Sequence, residues 1–188
     1  MTKTEIRKQM IKTARTTSKP TADEVANVIC NLDYYKNAEI IFGYIALKSE
    51  IDVSEVINRA IRDGKKIAFP TIKPGVFILG DKNWKNQVVK LENKTCSLLY
   101  QSTSKTLTFA NEKSIIPNGV ILVPGLAFTE FGTRLGRGAG YYDQTNLILK
   151  SRKDNVNLTF IGVCMRSQIV TELPTEPHDM PVDVVLSF

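Results

Sequence analysis

At 188 residues the chain is long enough for one domain with a substantial core and short for two, so a single domain over residues 1–188 is expected. A hydrophobic content of 43% with 23% charged residues excludes disordered and fibrous classes. The net charge of +6 favours an anionic partner, and charge alone leaves nucleic acid, an acidic membrane face and a polyanionic small molecule all open.

No run of about 18 apolar residues exists and the first residues lack an apolar signal core, so no membrane span and a cytoplasmic location are expected. Cys30, Cys96 and Cys164 are odd in number, far apart and without a C-x-x-C pair, which argues for small buried hydrophobes over a disulfide framework or thiolate site. His178 is the single histidine, so any metal must be held by oxygen, which points to magnesium.

In chain order, Thr2 to Arg15 puts Ile6, Met10 and Ala14 at four-residue steps, the stripe of a helix that Thr2 and Glu5 would open with a capping box. Lys3 and Arg7 share one face of it, which by spacing alone reads as a solvated basic face. A second helix is expected over Ala22 to Leu32, after Pro20. Glu39 to Leu47 (EIIFGYIAL) reads as the first strand, Val53 to Arg62 as a helix closed by Gly64, and Lys65 to Ile72 as the next strand, together a βαβ unit. Pro70 suits the end of that strand at Phe69 or a place at a sheet edge. Short runs at Val76 to Leu79, Val88 to Leu91, Cys96 to Tyr100 and Thr106 to Phe109 suggest hairpins or an excursion from the sheet. Leu158 to Cys164 and Val182 to Phe188 supply two further strands, with LPTEPHDMPVD between them.

The centre of the chain is Pro124 to Asp143, PGLAFTEFGTRLGRGAGYYD, where Gly132, Gly136, Gly138 and Gly140 sit among Arg134 and Arg137. Glycines let backbone N–H groups approach a ligand closely, and arginine forks match phosphate oxygens. The apolar run Gly119 to Val123 precedes the block and a helix over Tyr141 to Lys150 follows it, an order of strand, glycine loop and helix that places anions at a helix N-terminus. The block is neither a Walker A loop nor a G-x-G-x-x-G fingerprint, so phosphate binding here takes another form.

This block, with the terminal HDMPVD, the N-terminal KTEIR and the SEID after the first strand, resembles the 5-formyltetrahydrofolate cyclo-ligase family, also called methenyltetrahydrofolate synthetase. The resemblance covers nearly the whole chain in order. It implies an α/β fold in three layers, an open, mostly parallel sheet flanked by helices, similar to phosphosugar isomerases and CoA transferases. It also implies ATP- and magnesium-dependent closure of 5-formyltetrahydrofolate to 5,10-methenyltetrahydrofolate; a monomer is expected. By position, Lys3, Arg7 and the run Arg134, Leu135, Gly136, Arg137, Gly138, Ala139, Gly140, Tyr141 and Tyr142 would hold the nucleotide, which replaces the solvated-face reading of Lys3 and Arg7. Arg134, Arg137 and Tyr142 would serve catalysis, while Arg7, Ile45, Glu50, Arg137 and Tyr141 would face the folate. Asp143 and Asp179 would hold magnesium, although an aspartate at 143 also suits the cap or first-turn charge of the following helix.

Two departures stand out: Ala139 replaces a frequent Gly or Lys, and the family's Glu-Pro has no counterpart between Lys94 and Pro117. The chemistry fits the residue types independently. A formamide oxygen must become a leaving group before a ring can close on its carbon, phosphorylation achieves this, and the transferred group needs cations around it. A relative that binds folate or nucleotide without turnover stays open, as does RNA binding, although the scattered lysines and the absence of an aromatic-rich sheet motif speak against nucleic acid.

Overall fold

Thr2 opens the first helix from extended backbone: its hydroxyl accepts the Glu5 N–H, and the Glu5 carboxylate accepts the Thr2 N–H. In the computed structural model, which describes residues 1–90, 96–98, 106–111, 115–152 and 156–188, this helix α1 is Lys3–Thr16. Thr21 forms the same box with Glu24 at the head of α2, Ala22–Ile29. The expected helix to Leu32 ends early, and a separate short helix α3, Asp33–Asn37, follows. The turn lets Tyr35 enter the core while its hydroxyl donates to Asp63 at 2.7 Å.

Strand β1 is Ile40–Phe42, followed by α4, Ser54–Arg62, and β2, Lys66–Pro70. The strand expected through Leu47 stops at Phe42, because the Tyr44 hydroxyl donates to the Ile51 carbonyl at 2.9 Å and closes the intervening residues into a loop. Pro70 ends β2 beyond Ala68, the last residue that β1 pairs, so its missing N–H costs no bond to β1. The remaining strands are β3 Val76–Gly80, β4 Val88–Lys90, β5 Cys96–Leu98, β6 Thr106–Thr108, β7 Gly119–Pro124, β8 Ala127–Phe128 and β9 Arg134–Leu135. Then come helix α5, Tyr141–Lys150, and strands β10, Leu158–Cys164, and β11, Val184–Ser187. The ends of the expected runs at Leu91 and at Leu99 to Tyr100 lie outside the described residues, as does much of the stretch lacking Glu-Pro.

The described residues build a seven-stranded sheet in the order β11-β10-β7-β1-β2-β3-β6. The first five strands run parallel, and β3 and β6 join antiparallel. The central strands β1, β7 and β10 are mostly apolar because both faces are covered. Ile41, Ile67, Phe69, Val120 and Leu122 meet Val25 and Ile29 of α2 and Val56, Ile57 and Ala60 of α4. On the opposite face Ile40, Phe42, Ile121 and Val123 meet Phe77, Phe109 and, from α5, Tyr142, Ile148 and Leu149. This is the three-layer arrangement of helix, sheet and helix. Phe42, Phe77 and Phe109 pack ring on ring at centroid distances of 4.8–5.5 Å. Cys164 is buried as expected and Cys30 only half so, while the Cys96 side chain lies outside the described residues.

The sequence hides one element. Between β7 and α5 lies not a bare loop but a two-stranded antiparallel ribbon, β8 with β9. Helix α1 packs on this ribbon through Ile6 and Met10, against Leu126, Ala127 and Leu135. The ribbon's turn is pinned to the C-terminal segment: Val182 N–H donates to the Gly132 carbonyl at 2.9 Å. Gly132 has φ +88°, and a Cβ there would lie 2.3 Å from the Val182 oxygen. Gly132→Ala is therefore expected to lower stability by about 2–4 kcal/mol, summing the left-handed penalty and the steric insertion. Urea unfolding checks it; an unchanged midpoint would mean that the turn relaxes freely.

Candidate active site

Strands β1 and β7 are parallel neighbours from which the chain departs in opposite directions, through α4 to β2 on one side and through α5 to β10 on the other. Such a reversal opens a crevice at the carboxyl ends of the two strands. Here it is a cavity of about 1180 Å³, lined by Tyr44 and Ile45 after β1 and by Pro124 and Gly125 at the end of β7. The glycine block forms one wall, the N-terminus of α1 another, and Thr175 to Asp179 part of the rim.

Three backbone features shape the block for close approach. Gly138 has φ +100° and Gly140 φ +67°, conformations that side chains resist. Gly136 lies over the Arg134 guanidinium, where a Cβ would be 2.7 Å from Nη1. Gly140 is also the N-cap of α5 and supplies no side-chain acceptor, so no side chain caps the N–H groups of the first turn, which begins at cavity-lining Tyr141. An uncapped helix start beside a cavity can hold an anion.

Four cations meet there, each already partnered. The Arg134 side chain is 5% exposed; its Nη2 donates to Asp143 Oδ1 at 2.9 Å, its guanidinium sits 5.5 Å from the Tyr142 ring centroid, and its buried Nε has no hydrogen-bond partner. Arg7 Nε donates to the Gly136 carbonyl at 3.0 Å, and its guanidinium packs over Gly138. Arg137 Nε donates to Glu50 Oε1 at 3.0 Å and its Nη2 to the Ser49 hydroxyl. Lys3 bridges Asp179 at 2.6 Å and Glu176 at 2.9 Å. Burial works against the Lys3 ammonium, but hydrogen bonds to Asp179 and Glu176 hold its pKa above the ordinary value. Burial likewise opposes the Asp179 charge, and hydrogen bonds from Lys3 and the Glu176 N–H hold its pKa low. Burial drives both Tyr141 and Tyr142 well above the usual phenol range, so both stay protonated O–H donors at neutral pH. Tyr141 donates to the Val76 carbonyl at 3.3 Å, and the two rings meet edge to face at 5.2 Å.

All of the residues singled out from the sequence, Lys3, Arg7, Ile45, Glu50, Arg134 through Asp143 and Asp179, line this one cavity. The solvated-face reading of Lys3 and Arg7 fails, since both reach into it. Asp143 is no cap: Gly140 holds that position, and Asp143 accepts from Arg134 and, at 3.0 Å, from the Met180 N–H. For magnesium the donor set is lean. Among the described residues no group of three or more metal-ligating side chains occurs, and Asp143 and Asp179 are each already bound to a cation. That fits an ion held by one or two carboxylates together with nucleotide phosphates, which is the usual magnesium arrangement. Sequence reading missed Ser49 and Glu176; the only available signals were their places beside Glu50 and three residues before Asp179.

The chain has known relatives. It is 27% identical over 155 residues to the 5-formyltetrahydrofolate cyclo-ligase of Mus musculus, covering 81% of this chain and 74% of that protein. It is 26% identical over 153 residues to the 5-formyltetrahydrofolate cyclo-ligase of Escherichia coli K12, covering 80% and 78%. The NMR structure of Aquifex aeolicus 5,10-methenyltetrahydrofolate synthetase shares the fold, with a TM-score of 0.71 and 24% identity over 100% of this chain and 90% of that one. These relatives define the class, and the chain is an enzyme of the ligase type. More narrowly, it belongs to the 5-formyltetrahydrofolate cyclo-ligase family, whose model matches residues 1–187.

Asp143→Asn separates the roles open to that residue. A cap would tolerate Asn, and a pure metal ligand would lose activity at unchanged stability. As the counter-charge of buried Arg134, the variant is expected to lose about 2–3 kcal/mol of stability, below the usual cost of breaking a buried pair because Asn Oδ1 still accepts; urea unfolding without metal measures it. The Lys3–Asp179 clamp sets a pH window. Asp179, with its pKa depressed, contributes stability above about pH 4 that is lost as pH falls through its lower folded value, and Lys3, with its pKa raised, contributes below about pH 10 and loses it through its higher folded value. Hydrogen exchange of the α1 amides should accordingly be slowest, once corrected for intrinsic rate, inside that window, and Asp179→Asn should flatten the acid limb.

Proposed function

We propose that this chain uses ATP to close 5-formyltetrahydrofolate to 5,10-methenyltetrahydrofolate, releasing ADP and phosphate. One observation carries the proposal: Lys3, Arg7, Arg134 and Arg137 line the same cavity as the positive-φ glycines and the buried Glu50. Four cations around one cavity suit a polyphosphate and a transferring phosphoryl group better than a single-charged ligand.

In this reading the formyl oxygen attacks the γ-phosphorus and ADP leaves. The N10 lone pair then adds to the activated carbon, its proton passes to solvent, and the C–O bond breaks with departure of phosphate, leaving the methenyl bridge. Lys3 and Arg7 hold the nucleotide from the α1 side, and the glycine block holds it from the other. Arg134, fixed by Asp143 and Tyr142, and Arg137, fixed by Glu50 and Ser49, stabilise charge on the group in flight without having to reorganise. Tyr142, kept protonated by burial, offers an O–H rather than a base. Arg7, Ile45, Glu50, Arg137 and Tyr141, all of which line the cavity, would face the folate. Asp143 and Asp179 would hold magnesium against the phosphates, where it would offset their charge.

Purified protein with ATP, magnesium and 5-formyltetrahydrofolate is expected to generate methenyl-folate absorbance. Tight binding of both ligands without absorbance would instead make this a non-catalytic binding relative. Gly138→Val is expected to abolish binding of a non-hydrolysable ATP analogue, because a branched side chain at φ +100° would meet the Arg7 guanidinium and block backbone approach. Calorimetry with wild-type affinity in that variant would remove the block from the nucleotide site.

A further inference from the structure

The turn that ends at Glu50 is more heavily built than a passive substrate contact requires. Glu50 Oε2 accepts the Leu47 N–H at 3.0 Å and the Glu50 N–H donates to the Leu47 carbonyl at 2.9 Å, so side chain and backbone close the same turn. From the segment after α1, Lys19 donates to the carbonyl of Glu50 at 3.0 Å and to that of Lys48. Ser49 and Glu50 are both buried, at 7% and 9% exposure, although Lys48 beside them and Asp52 just beyond are exposed. What they face is Arg137: two adjacent residues offer two oxygens, one neutral and one charged, to Nε and Nη2 of a single guanidinium. The Arg137 side chain remains 34% exposed and its Nη1 makes no hydrogen bond among the described residues.

We propose that Ser49 is a positioning residue for the reaction: with Glu50 it grips one edge of the Arg137 guanidinium and turns the remaining N–H groups toward the bound phosphoryl group. The inference rests on the function proposed above. A single acceptor would leave Arg137 free to pivot about one hydrogen bond, whereas two acceptors on neighbouring residues define the plane of the fork. The loss expected on removing the hydroxyl is therefore one of aim, with charge and fold retained.

The test is a double-mutant cycle read in steady-state kinetics and thermal unfolding. Ser49→Ala is expected to lower kcat about tenfold, the scale of one misdirected hydrogen bond, with KM for the folate and Tm close to wild type. Ser49→Thr, which keeps the hydroxyl, is expected to restore most of the rate. In an Arg137→Met background Ser49→Ala is expected to change nothing further, since its effect runs through Arg137. Wild-type kcat in Ser49→Ala, or an equal loss in the Arg137→Met background, overturns the inference. Absence of turnover in the wild-type protein overturns the functional reading instead, and the same cycle measured on affinity for the non-hydrolysable ATP analogue then decides on Ser49: coupling between the two substitutions supports its role and additivity overturns it.

Discussion

Concentrated positive charge is the constraint on which this structure depends. Four cationic side chains converge on one cavity, and like charges at such range repel one another strongly wherever solvent is partly excluded. The fold resolves the problem by giving each cation its own acceptor, from a distant part of the chain for Lys3, Arg7 and Arg137 and from the first turn of the next helix for Arg134. Lys3 has Asp179 and Glu176, Arg7 the Gly136 carbonyl, Arg134 has Asp143, and Arg137 has Glu50 with Ser49. The charge cluster therefore serves also as the set of ties between the N-terminal helix, the loop after β1, the glycine block and the C-terminal segment. Recognition and tertiary assembly use the same side chains.

That double use explains how pre-organisation is achieved with glycines, which are entropically costly to order. The block is held from beneath by Arg134 under Gly136, from above by Arg7 over Gly138, and at its turn by the backbone bonds of Gly132 with Val182. Each glycine permits a contact that then immobilises it. Among the described residues, the Nε of Arg134 is the one buried side-chain polar atom left without a hydrogen-bond partner, and it lies beside the cavity.

Much of this was legible in the residues. The capping box at Thr2 and the apolar strands from Gly119 and over Leu158–Cys164 follow from local chemistry, and the structure contains them. Less local features were not. The strand expected through Leu47 ends at Phe42 because the Tyr44 hydroxyl bonds the Ile51 carbonyl and closes the following loop, a side-chain contact that strand periodicity does not register. The β8–β9 ribbon escaped because two-residue strands carry no periodicity and owe their pairing to α1 packed on them. For the site, the glycine block itself pointed to Arg134 and Arg137, and the resemblance located Lys3, Arg7 and the acids. Neither revealed which acid would hold which cation, since pairs such as Lys3 with Asp179 and Arg137 with Glu50 depend on tertiary closure alone.

Helix α1 contributes Lys3 and Arg7 to the cavity, and its apolar stripe divides: Ile6 and Met10 pack in a small cluster with Leu126, Ala127 and Leu135, while Ala14 enters the large core on one face of the sheet. Cooperative units of folding follow contiguous buried contact, so the first turns of α1, which rest on this small cluster, form a unit whose opening free energy lies below that of the sheet. A ligand that binds only when this unit is closed adds its binding energy to that local equilibrium and leaves the global one nearly untouched. Occupancy of the cavity thereby sets how long the amino-terminal helix stays docked, and a protease that cuts after its exposed Lys8 or Lys12 would report ligand binding by the rate at which it succeeds.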